Sequence, residues 1–218
     1  TPPAAGQNIT LVPYLTSGVN GNPEDGIKTH SDFNAGFDAK VALSSNLNLD
    51  LTVNPDFSQV DVDQQVTNLT RFDIFFPERR TFFLENADLF SNYGIPPARP
   101  FYSRTIGLDK DGNRIPIIAG ARITGNLDQK TRIGIMNMQT GKKGDFAAQN
   151  YTAFSMTRRV LKRSLIKTYY FDREASMSAA KKKENPLDRF GRNAGVEWVY
   201  MNLKGDWQAW GGWHQSWK

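Results

Sequence analysis

The sequence predicts an all-β chain, an antiparallel up-and-down transmembrane β-barrel, present in part, with a long irregular insertion. Three observations predict it. Runs of alternating apolar and polar residues recur along the 218 residues, while helical periodicity is poor almost everywhere. Long and short connections alternate, as they do in barrels with short turns at one rim and long loops at the other. Several strands also reach roughly 9–11 residues, the length that crosses a bilayer when tilted. In lipid every backbone polar group must pair within the protein, so such strands close into a barrel.

In chain order, Ile9–Ser17 is the first strand, interrupted by Pro13. A Gly-, Asn- and Pro-rich loop follows over Gly18–His30. Ser31–Ser44 has the clearest alternation: Phe33, Ala35, Phe37, Ala39, Val41 and Leu43 share a face opposite Asn34, Gly36, Asp38, Lys40 and Ala42. A turn at Ser44–Asn46 leads into Leu47–Asn54, where Leu47, Leu49, Leu51 and Val53 alternate with Asn48, Asp50, Thr52 and Asn54. The polar face of this hairpin, with Asp38, Lys40, Asn48 and Asp50, suits a wet lumen. Strands resume at Ile115–Gly125 and Thr131–Gln139, then Asn150–Arg158 and Ser164–Arg173, then Arg192–Asn202 and Asp206–Trp217. Short turns fall near 45, 128, 161 and 204, and longer connections at 18–30, 55–114, 140–149 and 174–191. Trp198, Trp207, Trp210, Trp213 and Trp217 all lie in or beside the last pair, where a girdle at the membrane interface places aromatics. About nine strands are found, whereas bacterial single-chain barrels have even numbers, so the chain reads as a fragment of a longer barrel.

The insertion, 55–114, holds the densest stretch of the chain, LTRFDIFFPERRTFFLENADLF over Leu69–Phe90. Pro77 breaks any helix through its middle, and the apolar spacing fits neither period for long. Such a segment must still bury its rings, and reads as a plug or loop packed on something larger with its charges paired locally. The sharper reading is a ligand platform made by Arg71, Phe75, Phe76, Glu78, Arg79, Arg80, Phe83, Glu85 and Asp88. LDKDGN at 108–113 has two aspartates of a calcium loop, but the ligand series stops there, so an Asp-Gly turn is expected.

Composition narrows the function classes. The absence of cysteine excludes disulfides and thiolate metal sites. No apolar run is long enough for a transmembrane helix. The opening TPPAAGQN lacks the basic and apolar regions of a signal peptide, so the chain reads as unexported, internal or processed. The net charge of +5 is uneven: −6 over residues 1–70, +3 over 71–140 and +8 over 141–218. The basic residues sit in turns and loops rather than in one stripe, which argues against nucleic acid as a partner. Lys181, Lys182 and Lys183 form a solvated loop or touch anionic lipopolysaccharide.

The runs VNPDFSQV (53–60), LTRFDIFFPERRTFFLENADLF (69–90), FYSRTIG (101–107), PIIAGARITG (116–125) and RRVLKRS (158–164) resemble a bacterial family. In that family a family-9-like carbohydrate-binding module precedes an uncharacterised C-terminal domain expected to be an outer-membrane barrel. The resemblance covers most of residues 50–175 and implies a barrel component linked to carbohydrate handling in the bacterial outer membrane. It implies no catalytic residues, and the carbohydrate module itself has no counterpart in these residues.

No nucleophile elbow, P-loop or dinucleotide fingerprint occurs, and His30 and His214 are far apart. No catalytic set, metal site or cofactor is expected. Glu78, Glu85 and Asp88 could supply a glycosidase pair, but their arginine neighbours favour ion pairs. The reading is therefore a binding or transport component rather than an enzyme. Its expected partners are outer-membrane lipid, lipopolysaccharide and oligosaccharide. The alternative is a soluble β-sandwich carbohydrate-binding module.

Overall fold

The structure is a computed structural model that describes residues 8–22, 27–55, 76–95, 98–109, 114–178 and 188–218, the backbone alone over 19–22 and 27–32. Nine strands form one antiparallel sheet in which each pairs with its sequence neighbours: β1 (Ile9–Asn22), β2 (Ile27–Ser44), β3 (Leu47–Val53), β4 (Ile117–Asn126), β5 (Thr131–Thr140), β6 (Gln149–Val160), β7 (Ser164–Ala175), β8 (Phe190–Met201) and β9 (Gln208–Trp217). All nine expected strands are present. The expected loop at 18–30 is largely strand instead, with Gly18 opposite Asp32 and Asn20 opposite His30. Extending a hairpin already in register satisfies successive backbone groups, and this outweighs the weak strand preference of Gly and Asn.

The remaining long connections, 54–116, 141–148 and 176–189, leave the sheet at one end, and the tight turns at the other. At that tight-turn end, the Asp128 carboxylate accepts from the Lys130 and Thr131 amides at 2.6 and 2.8 Å, which closes the β4–β5 turn.

Expected closure into a barrel is not present: among the described residues β1 and β9 are the open edges of the sheet. The strand number gives the reason. In a nine-strand meander the first and last strands run in the same direction, so joining them would need a parallel pair. Pro13 sits on the edge strand opposite Phe37. The Ala42 amide donates to the Asn8 carbonyl, which fixes the alternation and turns the odd-numbered β1 amide positions toward the open edge. The donor that proline lacks is thus missing from the edge rather than from the ladder.

The two faces differ sharply. One row of neighbours runs Ile9, Val41, Leu49, Ile123, Ile135, Phe154, Tyr170, Ala194 and Gln215 across the whole sheet. On this face Ile9 is 58%, Ile135 41% and Phe154 37% exposed. The row one residue away, on the opposite face, runs Thr10, Lys40, Asp50, Arg122, Met136, Ala153, Phe171, Asn193 and Ser216. There Arg122 is 2%, Met136 1% and Phe171 4% exposed.

What covers the second face is the insertion. It holds two single-turn helices, α1 (Thr81–Leu84) and α2 (Asp88–Ser91), and a 3-10 turn at Ser103–Thr105. Phe82, Phe83, Leu89, Phe90, Tyr93 and Ile106 bury against Met136, Met138, Ala153, Tyr169 and Phe171 of the sheet. Gly134 makes the approach possible: a Cβ there would lie 2.8 Å from the Phe90 ring. The core of the described residues is therefore a layer between insertion and sheet, while none of those residues packs over the other sheet face.

Candidate functional site

Two polar assemblies lie in and around this layer. The first is a knot inside the insertion. Arg80 grips Glu78 with two parallel bonds, Nε to Oε1 at 2.9 Å and Nη2 to Oε2 at 2.8 Å. Its remaining donors reach the carbonyls of Ile106 at 2.7 Å and Ser103 at 2.8 Å, and its guanidinium lies 4.3 Å from the Phe83 ring centre. Glu78 also accepts from the backbone amides of Arg79 and Arg80, each at 3.0 Å, and from the Ser103 hydroxyl at 2.7 Å. Burial opposes its ionisation, but the Arg80 bond and charge and the Ser103 bond outweigh burial and hold the carboxyl below its ordinary value. Tyr102 ties the same loop shut: its hydroxyl donates to the Phe76 carbonyl at 2.7 Å and accepts from the Phe76 amide at 3.0 Å.

From there, three ion pairs sew the insertion to the sheet or brace the sheet beneath it. Buried Arg122 of β4 donates Nε and Nη2 to Asp50 Oδ2 of β3, at 3.1 and 2.8 Å. Its Nη1 reaches the Glu85 carbonyl at 2.6 Å, and its charge lies 5.0 Å from the Phe82 ring centre. Lys40 pairs with the Glu85 carboxylate at 2.5 Å, and Arg132 with Asp88 at 2.6 Å. These last two pairs are half exposed, so each contributes only about 0–1 kcal/mol.

The second assembly is a cavity of about 590 Å³ between residues 94–95 and 98–100 of the insertion and β7–β9. Lys167 and Glu197 pair at 2.7 Å on its wall, each 13% exposed. The Glu197 carboxylate also accepts from the Gly94 amide at 2.6 Å, and Lys167 donates to the Asn92 carbonyl at 2.7 Å, so the pair anchors the insertion. The Tyr169 hydroxyl lies 2.8 Å from His214 Nδ1, and His214 Nε2 is 3.7 Å from Glu197. Buried Tyr93 donates to the Thr168 carbonyl at 3.1 Å, and burial pushes its phenol up to about 12.

Placed against this geometry, the sequence-expected residues separate. Glu78, Arg80 and Phe83 meet in the knot, with the Phe83 ring buried. Phe76 joins it through Tyr102, and Arg79 through its backbone amide. Glu85 and Asp88 turn away to separate cations on β2 and β5. The three carboxylates of the glycosidase reading are thus each engaged by a different cation. Arg71 and Phe75 lie outside the described residues, as do Lys181, Lys182 and Lys183 and residues 110–113 of the expected Asp-Gly turn.

Sequence reasoning missed Arg122, Lys167, Tyr169 and Glu197, and left His214 as a surface or girdle residue. Parity carries a signal for them: each is a polar or aromatic residue on the strand face opposite the apolar stripe, which is where a covering segment would meet charge. Trp210 sits opposite Val199 on the covered face and lines the cavity.

Residues 7–118 match a family model whose description is a domain of unknown function, DUF5916. No curated protein and no solved structure matches the chain.

Proposed function

The chain belongs to the DUF5916 family, whose model covers residues 7–118, and we propose that this member is part of an outer-membrane β-barrel wall that binds or conveys carbohydrate. One observation carries the membrane part. The sheet bares an apolar face across all nine strands, while its charged face is packed under the insertion. In water that bare face would be an exposed apolar patch of unusual extent; in a bilayer it is the lipid-facing wall. A soluble sandwich needs a second sheet on the bare face, and none lies there among the described residues.

In this reading the inner face looks into the lumen and the insertion is a plug held by Arg122, Lys40 and Arg132. Outward Trp198, Trp213 and Trp217 meet the headgroup region, and lipid and lipopolysaccharide are the surrounding partners. Closure follows from strand direction: β1 and β9 run the same way, so an all-antiparallel barrel needs an odd number of further strands between their edges. The carbohydrate part is supported by the resemblance of 53–60, 69–90 and 101–107 to domains that follow carbohydrate modules.

Partitioning between washed outer membranes and the soluble fraction tests this, with heat-modifiable gel mobility as a second readout. Membrane retention with a folded-state mobility shift is expected. Recovery in the soluble fraction would overturn it.

A further inference from the structure

The cavity between residues 94–95 and 98–100 of the insertion and β7–β9 is a binding site, and we infer that its ligand is a short saccharide entering from the side of β9. This deepens the proposed function and rests on its reading of the covered face as lumen.

Size comes first. A space of about 590 Å³ lies within the range of small-molecule sites and holds more than a few waters. Its making depends on missing side chains. A Cβ on Gly195 would lie 2.6 Å from the Tyr169 ring, and one on Gly212 would lie 3.1 Å from Glu197 Cγ. Both glycines sit on the inner face of β8 and β9, side by side with His214 and Glu197 respectively. Larger residues there would fill the floor.

Charge comes second. Lys167 and Glu197 of the lining are bonded to each other, so that pair offers no net charge to a ligand, and Arg99 of the insertion is the remaining cation of the lining. A ligand that paired by charge with either member would have to break it, at the cost of a largely buried partner. The pair, His214, Asn193 and Ser216 instead present donors and acceptors side by side, the pattern that hydroxyl groups match because each both donates and accepts.

The third observation is an aromatic face. Trp210 lines the cavity yet is 67% exposed, unlike the buried rings of the core. An indole on the rim of a polar pocket suits a ligand with one apolar C–H face and a hydroxyl periphery, which is a pyranose.

β9 supplies its own control. Trp210 lies on the cavity face, whereas Trp213, opposite Val196, lies on the bare face and is 58% exposed. Calorimetric titration of the full chain in detergent with maltotriose, cellotriose and chitotriose is the test, run on the parent, Trp210→Ala, Trp213→Ala and Gly212→Leu. At least one trisaccharide should bind the parent saturably. Trp210→Ala should weaken that binding by about tenfold or more, Gly212→Leu should abolish it, and Trp213→Ala should leave it within twofold. No saturable binding by any of the three, or equal losses in the two tryptophan variants, would overturn the assignment. Vesicle flotation of the same samples separates the two readings. Flotation without binding overturns the saccharide site alone, whereas binding without flotation overturns the membrane wall and leaves the site standing.

Discussion

Replacing Arg122 with methionine tests whether the insertion is fastened to the sheet through a buried charge. Arg122 is 2% exposed, and its partner Asp50 is 8% exposed. Arg122→Met keeps most of the volume of the side chain but removes both bonds to Asp50 and the bond to the Glu85 carbonyl. Stranding one member of a buried pair costs about 3–5 kcal/mol. An unsatisfied carbonyl adds about 1 kcal/mol if water does not reach it. The single variant should therefore lose about 4–6 kcal/mol, a large part of a marginal stability. The double variant Arg122→Met with Asp50→Leu removes the stranded carboxylate and should recover most of the loss, since apolar replacement of a whole buried pair is often neutral or better. Urea unfolding in detergent, followed by tryptophan emission and by the folded band on gels, measures both. If the single variant stays within about 1 kcal/mol of the parent, or the double variant is no more stable than the single, the pair does not fasten the layer.

Acid should loosen the insertion before it loosens the sheet. The Glu78 carboxyl is held below its ordinary value of 4.5, so the stabilisation it brings is fully present above that pH and is lost as pH falls through the lower folded value. Limited proteolysis within 76–109 should be unchanged between about pH 7 and 5 and should rise only below about 4.5; a rise near neutrality would contradict this. Gly134→Val should cost about 1–3 kcal/mol by driving the Phe90 ring and the Ser155 hydroxyl, each 2.8 Å from the added Cβ, out of place, read from the same urea midpoints. Ile135→Arg, on the bare face at mid-strand, should destabilise the bilayer-inserted form by about 2–4 kcal/mol, whereas a water-facing surface would absorb it with little change. Unfolding from lipid vesicles distinguishes the two.

The hairpin β2–β3 was the most legible because period-two alternation is unbroken there, with Phe37, Val41, Leu49 and Leu51 on one face, whereas β5 carries apolar residues on both faces through Ile135 and Met136. β1 and β2 were underestimated because Gly18 and Asn20 carry turn chemistry while their backbones continue a ladder set by residues far along the hairpin. In the described part of the insertion, from residue 76 onward, the rings of Phe82, Phe83 and Phe90 are buried and Glu78, Glu85 and Asp88 are ion-paired, as the density of rings and charges implied. That density could not tell which partners were local. Glu78 and Arg80 are two residues apart, but Glu85 and Asp88 find Lys40 and Arg132 across more than forty residues. The cavity was invisible because its lining comes from β7, β8, β9 and the insertion, which only the folded sheet brings together.

Oxygen and nickel-chelate accessibility of single spin labels in lipid vesicles tests the membrane assignment most directly, and the absence of native cysteine makes each label unique. Labels at Ile135, Phe154, Ile166 and Val196 report the bare face, and labels at Lys40 and Ser216 report the face beneath the insertion. The account predicts that the first four favour oxygen and exclude the chelate, while Lys40 and Ser216 admit the chelate. Equal chelate access on both faces would contradict it.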